Sequence, residues 1–275
     1  MTIKIVITGA TGFIGSALCK KLEEKKEYSI IRVTRSQEKN GFYRVTSYQQ
    51  TPFGDILVHL GEDSDRVRVN KMGESYRQKT GEIMDSLIKK RYKKIIYSSS
   101  SVVYGNKGIE PYVENMPTYA DDIYSITKLE NEERVLNSGG IVVRFSNVIG
   151  KGMSKNNILS DIFKQLPEKN PLLIRNIEPI RDFVCIDDAV DSVVKLMQKE
   201  ISGIFNIGSG VATSINQLTK TVLNIVKQED REVNSIVKDS KYSYNVLNIE
   251  KTKKTIDWQP KFTLSQSIKK MVNSL

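Results

Sequence analysis

The chain has 275 residues and a formal net charge of +10, from 42 Lys and Arg residues against 32 Asp and Glu residues. Hydrophobic residues make up 39% of it, which is enough to bury a core and excludes intrinsic disorder. No uncharged apolar run approaches the roughly 18 residues of a membrane-spanning helix, and the first residues lack a signal-peptide pattern. We therefore expect a cytoplasmic globular protein that does not enter a membrane.

The charge distribution and the rare residue types narrow the chemistry further. Basic residues are spread along the chain, which argues against a nucleic-acid partner and fits small molecules that carry phosphate. The two cysteines, Cys19 and Cys185, are far apart in sequence, and His59 is the single histidine. We therefore expect no disulfide, no metal site and no histidine-based catalytic triad.

Short apolar runs alternate with helical patterns along the first half of the chain. The runs cover residues 3–7, 30–33, 56–60, 95–97 and 141–145. Amphipathic helical patterns separate them, for example over residues 82–90. Strands that are apolar on both faces and alternate with helices are typical of a parallel sheet covered on both sides. The pattern predicts an α/β fold with a doubly wound, Rossmann-type parallel sheet.

A glycine-rich turn follows the first predicted strand and opens a helix. Its glycines have the spacing GxxGxxG. Such glycines allow a tight turn, a close backbone approach to a pyrophosphate and close packing of helix on strand, while helix N–H groups face the phosphates. Because strand, turn and helix are all readable here, we favour a dinucleotide site over a purely structural turn. The predicted cofactor contacts are Gly9, Thr11, Gly12, Phe13, Ile14 and Gly15.

The end of the second predicted strand indicates which dinucleotide is bound. A carboxylate there would bind the adenine-ribose 2′-hydroxyl of NAD, but the sequence reads Thr34-Arg35-Ser36. Arg35 is suited to pair with a 2′-phosphate and to stack on adenine. The alternative is an ordinary surface arginine, and Arg32 lies on the same strand. We therefore expect NADP as the preferred cofactor, with NAD as the alternative.

A serine-rich strand end and a later helix carry a candidate catalytic group. Residues 98–101 are all serine, and Tyr124 and Lys128 follow at positions i and i+4. That spacing puts both side chains on one helix face, where an ammonium favours the phenolate form of a neighbouring phenol. Such a tyrosine exchanges protons near neutral pH, and a serine hydroxyl holds the reacting oxygen. Most Tyr and Lys pairs with this spacing lie on the surface of a helix without a catalytic role. Here the pair follows the glycine turn and the serines in one chain, and this order favours a catalytic role.

The regular alternation of predicted strands and helices ends near residue 150. Proline- and glycine-containing loops now mix with helical patterns over residues 187–199 and 214–227. We interpret residues 1–150 as the dinucleotide-binding Rossmann domain. Residues 151–275 would form a smaller α/β part that mainly binds substrate, with segments around 180–210 returning to the Rossmann core.

With these motifs in this order, nearly the whole chain resembles the extended short-chain dehydrogenase/reductase family. It is most similar to the branch of NAD-dependent epimerases and dehydratases that act on nucleotide sugars. The resemblance rests on TGATGFIG at residues 8–15, DILVHL at 55–60, SSSSVVYG at 98–105, YSITK at 124–128, RFSNVIG at 144–150, RDFVCIDD at 181–188 and GIFNIGSG at 203–210.

The resemblance implies roles for individual residues and a homodimeric assembly. Tyr124 would be the acid/base, Lys128 would bind the nicotinamide ribose, and Ser100 would hydrogen-bond the substrate oxygen, with its neighbouring serines as alternatives. Arg181 would grip the diphosphate of a nucleotide-diphosphate sugar; the alternative is a salt bridge to a nearby aspartate. Further implied contacts are Leu60, Ser98 and Tyr124 to the cofactor, and Ser100, Tyr104 and Asn147 to the substrate.

Departures from the family pattern bear on the reaction. Dehydratases carry Asp-Glu directly after the catalytic hydroxyl, where this chain has Ser101-Val102, so a 4,6-dehydratase is disfavoured. The segment after the third predicted strand usually reads HLAA, whereas residues 59–63 read HLGED. The substrate pocket is therefore nonstandard. Because Arg35 indicates NADPH, the cofactor that usually supports net reduction, we expect an oxidoreductase that reduces a keto group, at C4, of a nucleotide sugar. The alternatives are a C4-epimerase with tightly held NAD(P) and a non-catalytic NADP-binding redox sensor.

Overall fold

Strands and helices alternate along the chain in this computed structural model, which describes residues 2–36, 40–168, 170–237 and 242–273. The strands of the described residues are β1 (Ile3–Thr8), β2 (Tyr28–Thr34), β3 (Tyr43–Arg44), β4 (Ile56–His59), β5 (Lys94–Ser100), β6 (Ile141–Phe145), β7 (Asn147–Ile149), β8 (Leu172–Ile174), β9 (Ile180–Arg181), β10 (Phe183–Cys185), β11 (Gly203–Ile207), β12 (Thr213–Ser214), β13 (Val233–Ser235) and β14 (Tyr244–Asn245). The helices are α1 (Phe13–Glu23), α2 (Arg66–Met72), α3 (Glu74–Lys89), α4 (Ile123–Asn137), α5 (Ile158–Gln165), α6 (Ile186–Met197), α7 (Ile215–Ile225), α8 (Glu250–Ile256) and α9 (Leu264–Val272).

The central sheet is parallel and, within the described residues, has seven strands in the order β11-β6-β5-β4-β1-β2-β3. Strands β1, β2, β4, β5 and β6 contain the five apolar runs of the sequence. The chain moves outward in both directions from β1 and β4, so the strand order reverses between these two strands. The predicted doubly wound α/β fold is confirmed. In such folds, ligands bind beyond the carboxyl ends of the strands at the point of reversal.

Helices cover both faces of this sheet. Successive residues of a strand point to opposite faces, so Ile5 and Ile7 of β1 pack in one core cluster with Leu18 of α1. Val6 packs on the other face, in a cluster with Met84 of α3. Helices α1 and α6 pack together on the first face, and α3 packs against α4 on the second. Polar side chains of the inner strands are therefore accessible mainly at the strand ends.

The chain beyond β6 builds a third core cluster and then returns to the sheet. This cluster joins helices α5, α7 and α9 through Leu159, Leu218 and Ile268. Small sheets pair β7 with β10, β8 with β13, and β9 with β12 and β14. Strand β11 joins the central sheet beside β6. No helix among the described residues combines the length and apolarity needed to cross a membrane.

Candidate active site

The glycine turn between β1 and α1 is shaped by contacts that exclude larger residues. Gly9 has φ +65°, and a Cβ atom there would lie 2.4 Å from the carbonyl oxygen of Leu60. A Cβ on Gly15 would lie 2.1 Å from the carbonyl oxygen of Gly9. Gly12 is the N-cap of α1, so no capping side chain covers the first N–H groups of this helix. The turn therefore fits a pyrophosphate, which these N–H groups would bind.

Helix α4 carries Tyr124 in its first turn and Lys128 one turn later. Asp122 caps the helix by accepting a hydrogen bond from the backbone N–H of Ser125 at 2.9 Å. Asn70 of α2 accepts a hydrogen bond from the backbone N–H of Tyr124 at 3.0 Å. Both Tyr124 and Lys128 are buried, and the Lys128 ammonium lies 5.8 Å from the centroid of the Tyr124 ring. The i, i+4 pair predicted from the sequence is therefore a contact on one helix face.

The Lys128 ammonium is held by partners from two neighbouring strands. It donates to the backbone carbonyl of Ser98 at 2.8 Å and forms an ion pair of 2.9 Å with Glu62, just beyond β4. Burial lowers the pKa of Lys128, but Glu62, Tyr124 and Glu132 together outweigh burial and hold it above its usual value. Burial raises the pKa of Glu62, but Lys128, with the hydrogen bond from Tyr97 and other nearby groups, outweighs burial and holds the pKa below its usual value. The two side chains therefore form a buried, fully ionised pair.

The four serines at the end of β5 have different surroundings. The hydroxyl of Ser99 donates to Glu132, which is buried in an ion pair of 2.6 Å with Arg144. Ser101 is buried as well, whereas Ser98 and Ser100 are partly exposed. The Ser100 hydroxyl accepts a hydrogen bond from the backbone N–H of Val102 at 3.3 Å. This leaves its O–H free to donate, the role that the resemblance implies for it.

Tyr104, in the turn after β5, supports the site from inside the protein. It is fully buried, stacks on Tyr112 with 4.9 Å between ring centroids, and donates its hydroxyl to Asn206 at 2.9 Å. Tyr104 therefore has no exposed surface for the substrate contact that the resemblance implied. The motif resemblance identified the position but did not reveal its burial, because Tyr112 and Asn206 reach it from distant parts of the chain.

Arg35 lies at the adenine end of the predicted cofactor site. Its guanidinium stacks 4.6 Å above the ring of Tyr48 and donates to the carbonyl of Gly61 at 3.1 Å. The Tyr48 hydroxyl in turn accepts a hydrogen bond from the backbone N–H of Gly9 at 3.1 Å. Sequence reasoning did not identify Tyr48. The sequence signal for it was Gly61, which replaces the usual alanine of the family motif. A Cβ atom at this position would lie 2.2 Å from the Tyr48 ring, so only glycine leaves room for Tyr48.

Two adjoining cavities lie at the carboxyl ends of β1, β4 and β5. The smaller, about 180 Å³, is lined by the glycine turn, Glu62, Ser98 and Lys128. The larger cleft, about 770 Å³, is lined by α2, by Asn147 of β7 and by the N-terminal part of α5. Both cavities include Phe13 and Ile14, so they meet at the start of α1. The larger volume is in the range of small-molecule sites.

Arg181 lies on β9 and is not among the described residues that line the larger cleft. Its guanidinium donates to the hydroxyl and the carbonyl of Ser243. The three aspartates considered as alternatives bind elsewhere: Asp182 accepts from the backbone of Ser209 at 2.7 Å, Asp187 pairs with Lys270, and Asp188 accepts from the backbone of Phe262 at 3.0 Å. Burial lowers the pKa of Arg181, as expected of a cation that is withdrawn from water.

A family model now supports what the geometry indicates. The model of the NAD dependent epimerase/dehydratase family matches residues 5–208, which include the glycine turn, Glu62, the serines, Tyr124 and Lys128. The chain belongs to this family of enzymes. The match confirms the resemblance drawn from the motifs.

Individual members of the family match over nearly the full chain. A putative UDP-glucose 4-epimerase of Methanocaldococcus jannaschii is 24% identical over 98% of this chain and 97% of its own. The UDP-glucose 4-epimerase of Thermotoga maritima, solved with UDP-glucose, superposes with a TM-score of 0.85 at 24% identity, over 98% of both chains. The RMD protein of Pseudomonas aeruginosa, solved with NADPH, has a TM-score of 0.86 at 19% identity, covering 99% of this chain and 98% of that one. These similarities establish the shared fold.

This family member also has side chains at its site that sequence reasoning did not assign. Arg66, Arg68 and Lys71 of α2 line the larger cleft. Arg66 pairs with Asp122 at 2.5 Å and Arg68 pairs with Asp63 at 2.5 Å. The only sequence signal for these residues was the run of alternating charge and valine that follows β4. The cleft is therefore rimmed by cations of which two are held by aspartates.

Proposed function

We propose that this enzyme is an oxidoreductase that uses NADPH to reduce a keto group, at C4, of a nucleotide-diphosphate sugar. The observation that carries the proposal is the contact between two buried side chains: Lys128 lines the smaller cavity together with the glycine turn, and its ammonium lies 5.8 Å from the centroid of the Tyr124 ring. A cofactor at the turn and a substrate in the larger cleft would meet near this pair. The bound nicotinamide would supply the hydride.

The chain's own residues account for cofactor binding. The N–H groups at the start of α1, with Thr11, Phe13 and Ile14, would bind the pyrophosphate. Leu60 and Ser98 would contact the cofactor farther along, and Lys128 would donate a hydrogen bond to the nicotinamide ribose. Arg35 is exposed and positively charged at the end of β2. This placement supports a contact with a 2′-phosphate, and therefore a preference for NADP over NAD.

Three side chains would donate the proton and stabilise the charge that develops on the substrate oxygen. The Tyr124 hydroxyl would donate its proton to the carbonyl oxygen of the substrate as that oxygen becomes an alkoxide. The Ser100 hydroxyl would donate a hydrogen bond to the same oxygen, which stabilises the charge. Lys128, fixed by its contact with the carbonyl of Ser98, would keep the phenol oriented. General acid catalysis of this kind contributes roughly 10²–10⁴-fold to a rate.

Residues from both halves of the chain would bind the nucleotide sugar. Asn147 of β7 is exposed at the larger cleft, and its side-chain amide donates to the carbonyl of Asp182 at 2.9 Å, which orients it. Asn156, Asn157 and Phe183 line the same cleft, consistent with a mainly substrate-binding role for residues 151–275. Arg181 would reach the substrate diphosphate by releasing Ser243. The complex of the Thermotoga maritima epimerase with UDP-glucose supports this substrate class.

Epimerisation at C4 is the second candidate, because both 4-epimerases among the relatives described above match nearly the whole chain. An epimerase would use Tyr124 in both directions, first as base and then as acid. It would interconvert two nucleotide sugars without net consumption of the cofactor.

One assay separates these candidates. The purified chain is incubated with NADPH and a panel of nucleotide 4-ketosugars, and separately with NADP⁺ and the corresponding 4-hydroxy sugars, and the absorbance of the reduced nicotinamide is followed together with product formation. Stoichiometric loss of NADPH is the expected result, with a lower kcat/KM for NADH. Interconversion of the 4-hydroxy sugars without a net change in reduced nicotinamide would establish the epimerase, and equal use of NADH in the reduction would contradict the role of Arg35.

The same assay tests the catalytic assignment. Tyr124→Phe removes the hydroxyl, and we expect kcat to fall by about 10²-fold or more. Tyr119→Phe is the matched control, because Tyr119 is exposed and the same hydroxyl is removed outside the proposed site. Activity of Tyr124→Phe within a few-fold of the wild type would show that another group transfers the proton.

A further inference from the structure

Glu62 occupies a position where the family motif HLAA has its second alanine. Its side chain is only 6% exposed. One carboxylate oxygen accepts from the Lys128 ammonium and from the Tyr97 hydroxyl, both at 2.9 Å, and the other accepts from the Asn131 amide at 2.8 Å. Neither oxygen is left without a partner. The chain has therefore placed a fully bonded carboxylate against the lysine that adjoins the proposed nicotinamide site.

This contact changes the charge that a bound cofactor meets. With alanine at position 62, Lys128 would present an unpaired positive charge inside a poorly solvated pocket. With glutamate, the buried pair has no net charge. His59 is also neutral, because burial lowers its pKa to about 4. An oxidised nicotinamide is positively charged and a reduced one is neutral, so only the oxidised form is repelled by a lone ammonium.

We propose that Glu62 is a positioning residue that fixes Lys128 beside Tyr124 and cancels its charge, so that the pocket holds the oxidised cofactor more tightly than an unpaired lysine would allow. The inference rests on the proposed function, since it requires the nicotinamide of NADP to lie next to Lys128. It goes beyond that function because it states that Glu62 sets the relative affinities of the site for the oxidised and the reduced cofactor. A tightly held oxidised cofactor is also what an epimerase requires.

The hydrogen-bond arrangement supports positioning as well as charge cancellation. The ammonium has three N–H groups; one is directed to Ser98 on β5 and one to Glu62 beyond β4. One N–H group therefore remains for a ribose hydroxyl. Tyr97 and Asn131 hold the carboxylate from β5 and from α4, so the position of the ammonium is fixed by both elements.

The test measures cofactor binding and does not depend on knowing the substrate. Dissociation constants for NADP⁺ and for NADPH are determined by calorimetry with the wild type, Glu62→Gln and Glu62→Asp. Glutamine keeps the shape and removes the charge, and we expect the ratio of the NADP⁺ constant to the NADPH constant to rise about tenfold. Aspartate keeps the charge and is expected to keep the ratio near that of the wild type.

Two further variants make the test decisive. Glu62→Ala restores the family residue and, if Glu62→Gln does not fold, is expected to raise the ratio in its place. Glu133→Gln removes the same charge from an exposed position on α4 and should leave the ratio unchanged. A ratio that stays constant in Glu62→Gln and Glu62→Ala would overturn the role of Glu62 alone. Wild-type protein that binds neither cofactor form would overturn the proposed function and this inference with it.

Discussion

His59 shows how burial determines the protonation state of a single residue. It lies at the end of β4 with 2% of its surface exposed, and its Nδ1 atom is 2.8 Å from the hydroxyl of Thr8. Burial lowers its pKa from 6.5 to about 4, and the nearby charges of Glu62, Lys128 and Arg35 partly offset one another. The chain's one histidine is therefore neutral at physiological pH, which agrees with the proposal that a tyrosine transfers the proton.

This burial predicts a specific loss of stability in acid. Well above its unperturbed pKa of 6.5, His59 is neutral in both the folded and the unfolded states. As the pH falls towards 4, the unfolded chain binds a proton that the folded protein does not, so the free energy of unfolding decreases. At about pH 4.5 the loss is about 2 kcal/mol.

Urea unfolding at neutral pH and near pH 4.5 checks this prediction. His59→Asn removes the titrating ring and leaves every other acidic and basic group in place. The wild type should lose about 2 kcal/mol more stability than the variant between the two pH values. Equal losses would show that His59 is already protonated in the folded protein.

At the scale of one element, helix α4 has its capping residue, Asp122, directly before the turn that carries the proposed acid/base, Tyr124. Burial raises the pKa of Asp122, but hydrogen bonds from Ser125 and Arg66 outweigh burial and lower it to about 2. Its carboxylate therefore binds the first turn of α4 and, through Asn70 at 2.7 Å, the helix α2. Tyr124 belongs to that first turn. A local capping motif thus also determines where the proposed acid/base lies.

Loss of this cap should reduce both stability and activity. We expect Asp122→Ala to lower the free energy of unfolding by about 1–2 kcal/mol and to reduce kcat, because the turn that carries Tyr124 loosens. Thr263→Ala removes the capping residue of α9, which accepts from the backbone of Gln266 at 3.2 Å. That control should lose about 1 kcal/mol of stability and keep its kcat. If both variants changed kcat equally, the cap of α4 would have no specific influence on Tyr124, and the prediction would be wrong.

At the scale of the whole molecule, the site depends on three core clusters meeting at one edge. The glycine turn packs in the cluster on one face of the central sheet, Tyr124 packs with Val69 and Tyr76 in a small cluster of helix residues, and Phe183 and Leu159 come from the cluster beyond β6. All of these parts except Tyr124 line the two adjoining cavities. Ligands that bridge the cavities should therefore stabilise the fold as a unit.

Thermal unfolding with ligands tests this coupling. NADP at about 100 times its dissociation constant should add about 2.7 kcal/mol to the free energy of unfolding, and a matching nucleotide sugar should raise Tm further. A panel of UDP-, dTDP-, GDP- and CDP-sugars identifies the base, and the corresponding free sugars are the controls. Equal shifts with free sugars would contradict recognition of the nucleotide diphosphate.

The strands and the cofactor turn could be predicted because their signals are local. The apolar run at 141–145 coincides with β6, since a strand buried on both faces needs no distant information to be recognised. Helix α3 was predicted only over residues 82–90 but begins at Glu74, because its first turns are polar in sequence and are buried through Tyr76 and Thr80. The family resemblance was likewise readable, and the family match confirms it.

The sequence by itself determined the doubly wound sheet, the glycine turn and the pairing of Tyr124 with Lys128, because the apolar runs, the glycine spacing and the i, i+4 spacing can each be recognised in a short stretch of the chain. Only the tertiary structure decided what surrounds them. Glu62 meets Lys128 because β4 and α4 converge at the sheet edge, and Tyr104 is buried because residues from distant segments cover it. Contacts between such distant residues follow from packing, which local periodicity does not encode, and here they determine the charge of the proposed cofactor site.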